Sequence, residues 1–339
     1  MKTFTLFTLE LMGELSAAEI NRIGKRLVEE RPGLPLPKRP PADYQNFHRT
    51  VLVDDVRGVK IITIRRPEAL NALHDELTDE ILGVIQEFEN DPAVRGFVIT
   101  GYGPRAFSAG ADIGRFPKML GDAAAAAQYA RDCSRLLLHI DRMAKPVVAA
   151  LNGMALGGGL ELALRCHGIV ALGDAWLQLP EITLGIAPGI GAIVVPYRRW
   201  PKAAATFHAM MRRAERVSAK KAHELGIVDG LSDNYAAMIE SAVERVHALT
   251  GQLQTPRDGA VAIEPPTPGD AIAFNGQKLS TEVTRILERA IVDAAAAKTF
   301  NAALEIGYRA FGASACTAAA REGIDAFLQR RTADFTKTG

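Results

Sequence analysis

The sequence predicts an α/β fold, and three observations carry that prediction. Apolar runs of strand length alternate with segments of helical periodicity between residue 51 and about residue 180. One of these runs, VVAAL at 147–151, leads into a glycine-rich turn and then at once into a short helix. From Trp200 onward the pattern becomes mainly helical.

Residues 1–50 read as an N-terminal extension: a helix over SAAEINRIGKRLVEE, then RPGLPLPKRPP, too rich in proline for helix or sheet. The start, MKTFTLFTLELMGELSAAE, is a poor secretory signal, because Glu10 interrupts the apolar stretch and Lys2 alone supplies the basic region. VLVDDV and VKIITI then read as two strands joined through Arg57 and Gly58, a hairpin. His74–Asn90 carries Leu77, Ile81, Leu82, Ile85 and Phe88 at helical spacing, and VRGFVIT at 94–100 follows as a buried strand. A loop over Gly101–Gly110, a helix within 122–143, the strand at 147–151, the glycine turn and a helix ending at Arg165 come next. Two short strands are expected around 168–178. Helices are expected near 200–213, 218–224, 233–250 and 280–330, and the alanine runs at 123–127 and 294–297 favour helix. Between them, LQTPRDGAVAIEPPTPGDAIAFNGQK reads as a long loop. The expected organisation is an extension over 1–50, an α/β core over 51–200, and a helical C-terminal region over 201–339 with an insertion at about 251–280.

Composition limits the function classes. The 339 residues suffice for two domains, or one large core with an attachment, at roughly 150 residues per domain. Forty basic residues against 39 acidic ones leave a net charge of +1, so no global field attracts nucleic acid or an anionic membrane. At 48% hydrophobic and 23% charged, the chain is an ordinary folded protein rather than a disordered or fibrous one. Cys133, Cys166 and Cys316 form no CxxC pair, so neither a disulfide framework nor a zinc or other metal site is expected, and a reducing cytoplasm is. The uncharged stretches Val147–Leu160 and Ile182–Tyr197 are too short and too broken by Gly and Pro to span a bilayer.

The chemistry concentrates in three segments. LNGMALGGGLELAL at 151–164 places free N–H groups at a helix N-terminus, where they and the helix dipole stabilise negative charge. The plain alternative is a tight strand-to-helix turn. Gly157, Gly158 and Gly159 lack the GxGxxG spacing, and no GxxxxGK[ST] occurs, so phosphate-loop readings are weak. Glu161 stands in the apolar turn that follows, and Glu181 stands in LQLPEITLGIAPGIG, again among apolar residues. Such a glutamate is either a solvated interruption or a buried acid of raised pKa suited to proton transfer. Two of them, each beside a glycine-rich turn, make a paired-carboxylate site. In the third segment, PRAFSAGAD at 104–112, the Ala111 N–H could share an oxyanion with the Gly158 N–H. Ser108 does not form a hydrolase elbow, because GxSxG fails at Ala106.

These segments resemble the crotonase, or enoyl-CoA hydratase/isomerase, superfamily. RPEALNAL at 66–73, AFSAGADI at 106–113, KPVVAALNGMALGGGLELAL at 145–164 and LPEITLGIAPGIG at 179–191 resemble its signatures in its order. SAKKAHELGIVD and AREGIDAFLQRRTADF resemble its helical tail. The resemblance implies a spiral of ββα units with a helical trimerisation region, and hence a homotrimer or a dimer of trimers. It implies an acyl-CoA substrate whose thioester carbonyl lies between the N–H groups of Ala111 and Gly158, with Glu161 and Glu181 as the acid/base pair and Gly189 helping to hold the water. For the CoA moiety it implies the backbone at Glu68, Ala69 and Leu70, with Arg105 and Ile113, and Phe327 and Arg330 toward the nucleotide end. No separate cofactor is implied, since coenzyme A arrives as part of the substrate.

Because family members that only isomerise double bonds often manage with one glutamate, keeping both favours hydration of a 2-enoyl-CoA. Isomerase, thioester hydrolase and C–C hydrolase are the alternatives within the family, separated by their products, and the balanced charge and both glutamates argue against a non-catalytic RNA-binding member. The chain departs from the usual pattern at Glu68 and Gly114, where relatives often carry lysines, and at His167, where an aspartate is common. His167 is expected to be structural. Gln178 and AIVVPYRRW replace more usual residues near the second glutamate, and the acyl group is not legible.

Overall fold

The computed structural model describes residues 50–253, 258–264 and 271–338. The helix and proline-rich segment expected within 1–49 lie outside these residues. A spiralling chain builds two sheets. The first has the order β1 (Val51–Val56), β2 (Val59–Ile64), β3 (Gly96–Gly101), β5 (Val147–Leu151), β7 (Gly168–Leu172), β10 (Gly230–Ser232). The second has the order β4 (Ala106–Ser108), β6 (Met154–Leu156), β8 (Trp176–Gln178), β9 (Val217–Ser218). β3 is followed by β4, β5 by β6 and β7 by β8, so each turn of the chain lays one strand in each sheet before a helical segment. This is the ββα spiral that the resemblance implies.

The β1–β2 hairpin pairs Val51 with Ile64 and Val56 with Val59, and it closes through Arg57 and Gly58 at φ of 55° and 77°. Positive φ at both central residues is what a two-residue turn needs to match strand twist. β2, β3, β5, β7 and β10 are parallel neighbours, and apolar layers cover both faces. Val98, Val148, Ala150 and Val170 pack on α8 (Tyr235–Leu249) through Met238, Ile239, Ala242, Val243 and Val246. Phe97, Ile99, Val147, Ala149, Leu151 and Ile169 alternate with them and face the main core. Burial on both faces explains why these strands are continuous apolar runs.

The helix after the hairpin is α1 (Asp75–Phe88), capped by His74, whose Nδ1 accepts from Leu77 N–H. The helix expected within 122–143 is two, α2 (Ala123–Cys133) and α3 (Arg135–Ile140), broken at Ser134, whose hydroxyl bonds back to the Ala130 carbonyl. Two expectations are corrected by strands too short to show a period. The loop over Gly101–Gly110 contains β4, and the glycine turn contains β6; both are recruited by pairing across the chain, Ala106 opposite Met154. α4 (Gly157–Arg165) begins at the glycines themselves.

α5 (Val195–Arg199) precedes the expected helix near 200, which is α6 (Ala204–Arg213) entered through a 3-10 turn at Pro201–Ala203. α7 (Ala219–Glu224) and α8 follow as expected. The described parts of the long loop hold no helix or multi-residue strand, only a bridge between Ile272 and Lys278. The last segment is three helices: α9 (Thr281–Ala296), α10 (Phe300–Ser314) and α11 (Ala318–Leu328). Among the described residues no helix is long and apolar enough to cross a membrane.

α11 docks on the 3-10 turn Glu181–Leu184 through glycine-sized contacts. A Cβ on Gly323 would lie 2.2 Å from the Leu184 carbonyl oxygen, and one on Gly185, at φ +68°, would lie 2.3 Å from the Ala319 carbonyl oxygen. Gly323→Ala is therefore expected to destabilise the fold by about 1–3 kcal/mol through overpacking. Gly307→Ala, in α10 with open space around its Cβ position, is expected to be neutral or to stabilise by up to ~1 kcal/mol. Urea unfolding of the two variants side by side measures both.

Candidate active site

Two backbone corners meet where the second sheet gives way to α4. The first is Gly110–Ala111, after β4. Leu73 N–H donates to the Gly110 carbonyl and Asp112 N–H to the Leu73 carbonyl, so the Ala111 N–H takes no part in this bridge. The second corner is Leu156–Gly158, where β6 becomes α4. The N-cap position is Leu156, which has no side-chain acceptor, so the first N–H groups of α4 are uncapped. The corners touch: a Cβ on Gly110 would lie 2.9 Å from the Leu156 carbonyl oxygen and 3.5 Å from the Gly158 nitrogen. A Cβ on Gly158 would lie 3.6 Å from the Ala111 nitrogen. Glycine is required at 110, where φ is +96°.

Two buried asparagines tie down the chain that leads through β4 to the first corner. Asn152 Oδ1 accepts from Gly101 N–H at 2.9 Å, and its Nδ2 donates to the Gly103 and Ala106 carbonyls. Asn71 Nδ2 donates to the Tyr102 and Ala106 carbonyls, and its Oδ1 accepts from Arg66 N–H. Neither asparagine stands out from periodicity; NAL and LNG are only turn-like tripeptides in the sequence.

The glutamates are both inside, which removes the solvated alternative. Glu161 is 2% exposed on α4, a helix buried all round. Its Oε1 accepts from Ile190 N–H at 2.9 Å and Ala192 N–H at 2.8 Å. Burial raises its pKa, while these two N–H groups and the Arg165 charge act the other way. Glu181 is 9% exposed in the first turn of the 3-10 segment Glu181–Leu184. Its Oε1 lies against Gly157, where a Cβ would come within 2.8 Å of it, and its Oε2 is buried without a hydrogen-bond partner. Burial, and then the charge of Glu161, push its pKa well above the ordinary carboxylate value. The Glu181 carboxyl is thus brought against Gly157 at the uncapped start of α4, and Glu161 lies one turn further along the same helix.

Gly189 immediately precedes Ile190, and the Phe311 ring lies 3.1 Å from where its Cβ would be. Glu68 and Ala69 lie in the 3-10 turn Pro67–Ala69, followed by Leu70 at φ 52°, whose carbonyl accepts from Ala109 N–H. Leu70 and the exposed Arg105 share a recess of about 20 Å³ with Tyr102 and Pro104. Ile113 opens the 3-10 turn Ile113–Lys118, on which α11 also packs. Phe327 and Arg330 are exposed at the far end of α11. A separate cavity of about 930 Å³ lies behind the C-terminus of α4, lined in part by Arg165, Arg198, Arg199, His167 and Arg245. It includes neither glutamate.

Ser108 Oγ accepts from Gly110 N–H, which makes it part of the corner. His167 Nδ1 accepts from Val147 N–H, and burial lowers its pKa to about 4, so it is a neutral structural acceptor. Among the described residues no group of three or more His, Cys, Asp or Glu could hold a metal ion.

A family profile described as enoyl-CoA hydratase/isomerase matches residues 54–256. The chain belongs to this family, within the crotonase superfamily. It is 34% identical over 279 residues to a probable enoyl-CoA hydratase of Bacillus subtilis (strain 168), covering 82% of this chain and 95% of that one. It is 31% identical over 306 residues to the mitochondrial enoyl-CoA hydratase of Pongo abelii, covering 88% and 91%. Its fold matches a crystal structure of an enoyl-CoA hydratase subunit from Geobacillus kaustophilus HTA426 with a TM-score of 0.54 at 28% identity, over 85% of this chain and 98% of that one. An enoyl-CoA hydratase/isomerase from Mycobacterium paratuberculosis matches with a TM-score of 0.58 at 25% identity, over 81% and 97%.

The buried carboxyls carry a stability cost with a definite sign. A folded pKa above the unfolded one means the native state holds more protons, so stability falls as pH rises from the ordinary carboxylate value through the raised one. Glu181→Gln removes that charge and is expected to be more stable than the parent at pH 8, with the difference shrinking toward pH 4.5. Urea midpoints measured at the two pH values check this.

Proposed function

We propose that the protein is an enoyl-CoA hydratase, adding water across the 2,3 double bond of an acyl-CoA thioester. The observation that carries this reading is the pair of buried glutamates with unlike surroundings beside the meeting N–H groups of Ala111 and Gly158. Membership of the family supplies the substrate class.

Adding water to a conjugated thioester builds enolate charge on the carbonyl oxygen. The Ala111 and Gly158 N–H groups, with the dipole of α4 behind the second, stabilise that charge and the transition state leading to it. The two carboxyls divide the proton work by environment. Glu161, with two N–H donors and Arg165 favouring its ionised form, takes a proton from water as the water oxygen bonds to C3. Glu181, desolvated and with its Oε2 unpartnered, is the acid and delivers its proton to C2. A proton returning from Glu161 to Glu181 restores the site, so the sum is one water consumed. The backbone at Gly189, beside the loop that holds Glu161, helps place the water.

The CoA moiety runs along the backbone of Glu68, Ala69 and Leu70, past Arg105 and Ile113, with Phe327 and Arg330 at the nucleotide end. The Arg105 and Arg330 guanidiniums suit its phosphates. The Glu68 carboxylate does not, so only its backbone is used. The assembly is a homotrimer or a dimer of trimers, on the strength of family resemblance.

Crotonyl-CoA in heavy-oxygen water, followed by mass spectrometry, is expected to gain one labelled water with the thioester intact. Free CoA would mean thioester hydrolysis, and a shifted double bond at unchanged mass would mean isomerisation. Glu161→Gln and Glu181→Gln are each expected to lower kcat by about 10²–10⁴-fold while CoA-ester binding stays measurable by calorimetry. Full activity in either variant would remove the role given to that residue.

A further inference from the structure

One buried ion pair behind the glutamates has no part in the reaction scheme above. Arg165 and Asp141 pair with side chains only 1% and 9% exposed. Arg165 Nε donates to Asp141 Oδ1 at 3.0 Å, and Nη2 pairs with Oδ2. The remaining arm, Nη1, donates to the Ile190 carbonyl at 2.9 Å. The N–H of that same residue is one of the two that hold Glu161 Oε1. Glu161 and Arg165 stand one helical turn apart on α4, so both ends of the Ile190 backbone unit are tied to a single rigid helix. Gly191, between the two N–H donors, has φ +150°, and a Cβ there would lie 3.2 Å from Arg165 Nη1. The loop is thus shaped around the guanidinium.

A buried ion pair is a poor way to gain stability, because an apolar side chain of similar volume often does as well or better. The geometry calls for a reason beyond packing. We propose that Arg165, anchored by Asp141, is a positioning residue for the hydration reaction, holding the Ile190 carbonyl so that the Ile190 and Ala192 N–H groups stay aimed at Glu161. This rests on the reading of Glu161 as the base.

Its charge acts on the same carboxyl. The groups facing Glu161 are Glu181 from the 3-10 turn, Cys133 from α2 and Arg165 on α4 itself. Asp141 follows α3 and Tyr308 of α10 lies beside Arg165, while Arg199 of α5 caps the carbonyls at the end of α4. Burial pushes the Cys133 thiol up to about 12 and keeps the Tyr308 phenol protonated, so neither adds charge near neutral pH. Removing the Arg165 charge and loosening the two N–H donors both raise the pKa of Glu161, which moves loss of the base to higher pH.

The test is steady-state kinetics on crotonyl-CoA across pH with Arg165→Met, Arg165→Lys and Asp141→Asn, normalised to folded protein by circular dichroism, with Glu161→Gln as reference. Arg165→Met is expected to lose roughly ten- to hundred-fold in kcat, with KM within about two-fold of the parent. Its acid limb of kcat/KM shifts to higher pH. Asp141→Asn shows the same changes to a smaller degree, and Arg165→Lys recovers the position of the limb but not kcat, since an ammonium cannot make the three-armed contact. If Arg165→Met does not fold, the other two variants decide by the same readouts. Parental kcat and an unmoved acid limb in the folded variants, with Glu161→Gln inactive, would overturn the positioning role alone. A fully active Glu161→Gln would overturn the base assignment and this proposal with it.

Discussion

The close approach of two backbone corners, Gly110–Ala111 and Leu156–Gly158, is the constraint on which the rest of the molecule depends. A Cβ at Gly110 would lie 2.9 Å from the Leu156 carbonyl oxygen, so the corners approach as closely as they do because one of them has no side chain. Each corner is the end of a strand in the second sheet, and β4 and β6 are parallel neighbours there. The short sheet therefore has a task beyond burial: it sets the distance between two N–H groups. Asn71 and Asn152 complete the arrangement by bonding the backbone polar groups of Gly101, Tyr102, Gly103 and Ala106, which are buried and require partners.

The carboxyls illustrate how one fold can hold two chemically identical groups in different surroundings. Glu161 sits where the 190–192 loop turns its N–H groups inward; Glu181 sits where α11 and α4 close around it and leave one oxygen unpartnered. Each costs stability when charged, and the fold accepts that cost at one place while spreading compensating contacts elsewhere. The large two-sided sheet, the packing of α8 upon it and the glycine-tight docking of α11 are such contacts.

α11 deserves particular notice in this balance, because it links the last helices of the chain to the turn bearing Glu181. Gly185 and Gly323 meet backbone to backbone across that junction. A change far from the carboxyl in sequence would thus be felt at the site as a shift of the turn that carries it. Helical tail and catalytic region are one packed body there, and the main apolar core runs continuously from Val51 to Phe335.

Much of this was legible in the sequence. Long apolar strands, amphipathic helices such as Asp75–Phe88 and the Arg57–Gly58 hairpin turn are local patterns, fixed by periodicity and backbone preference within a few residues. The signature segments likewise pointed to Ala111, Gly158, Glu161 and Glu181, since glycine-flanked carboxylates among apolar residues are conspicuous. β4 and β6 were not legible, because three-residue strands carry no period and exist through partners some fifty positions away, as the Ala106–Met154 pairing shows. Nor were the roles of Asn71, Asn152 or the Arg165–Asp141 pair: a polar residue in a sequence does not reveal which carbonyl or carboxylate it will meet. Local propensity acts along the chain, whereas burial, pKa and the pairing of polar groups depend on what the fold brings from elsewhere.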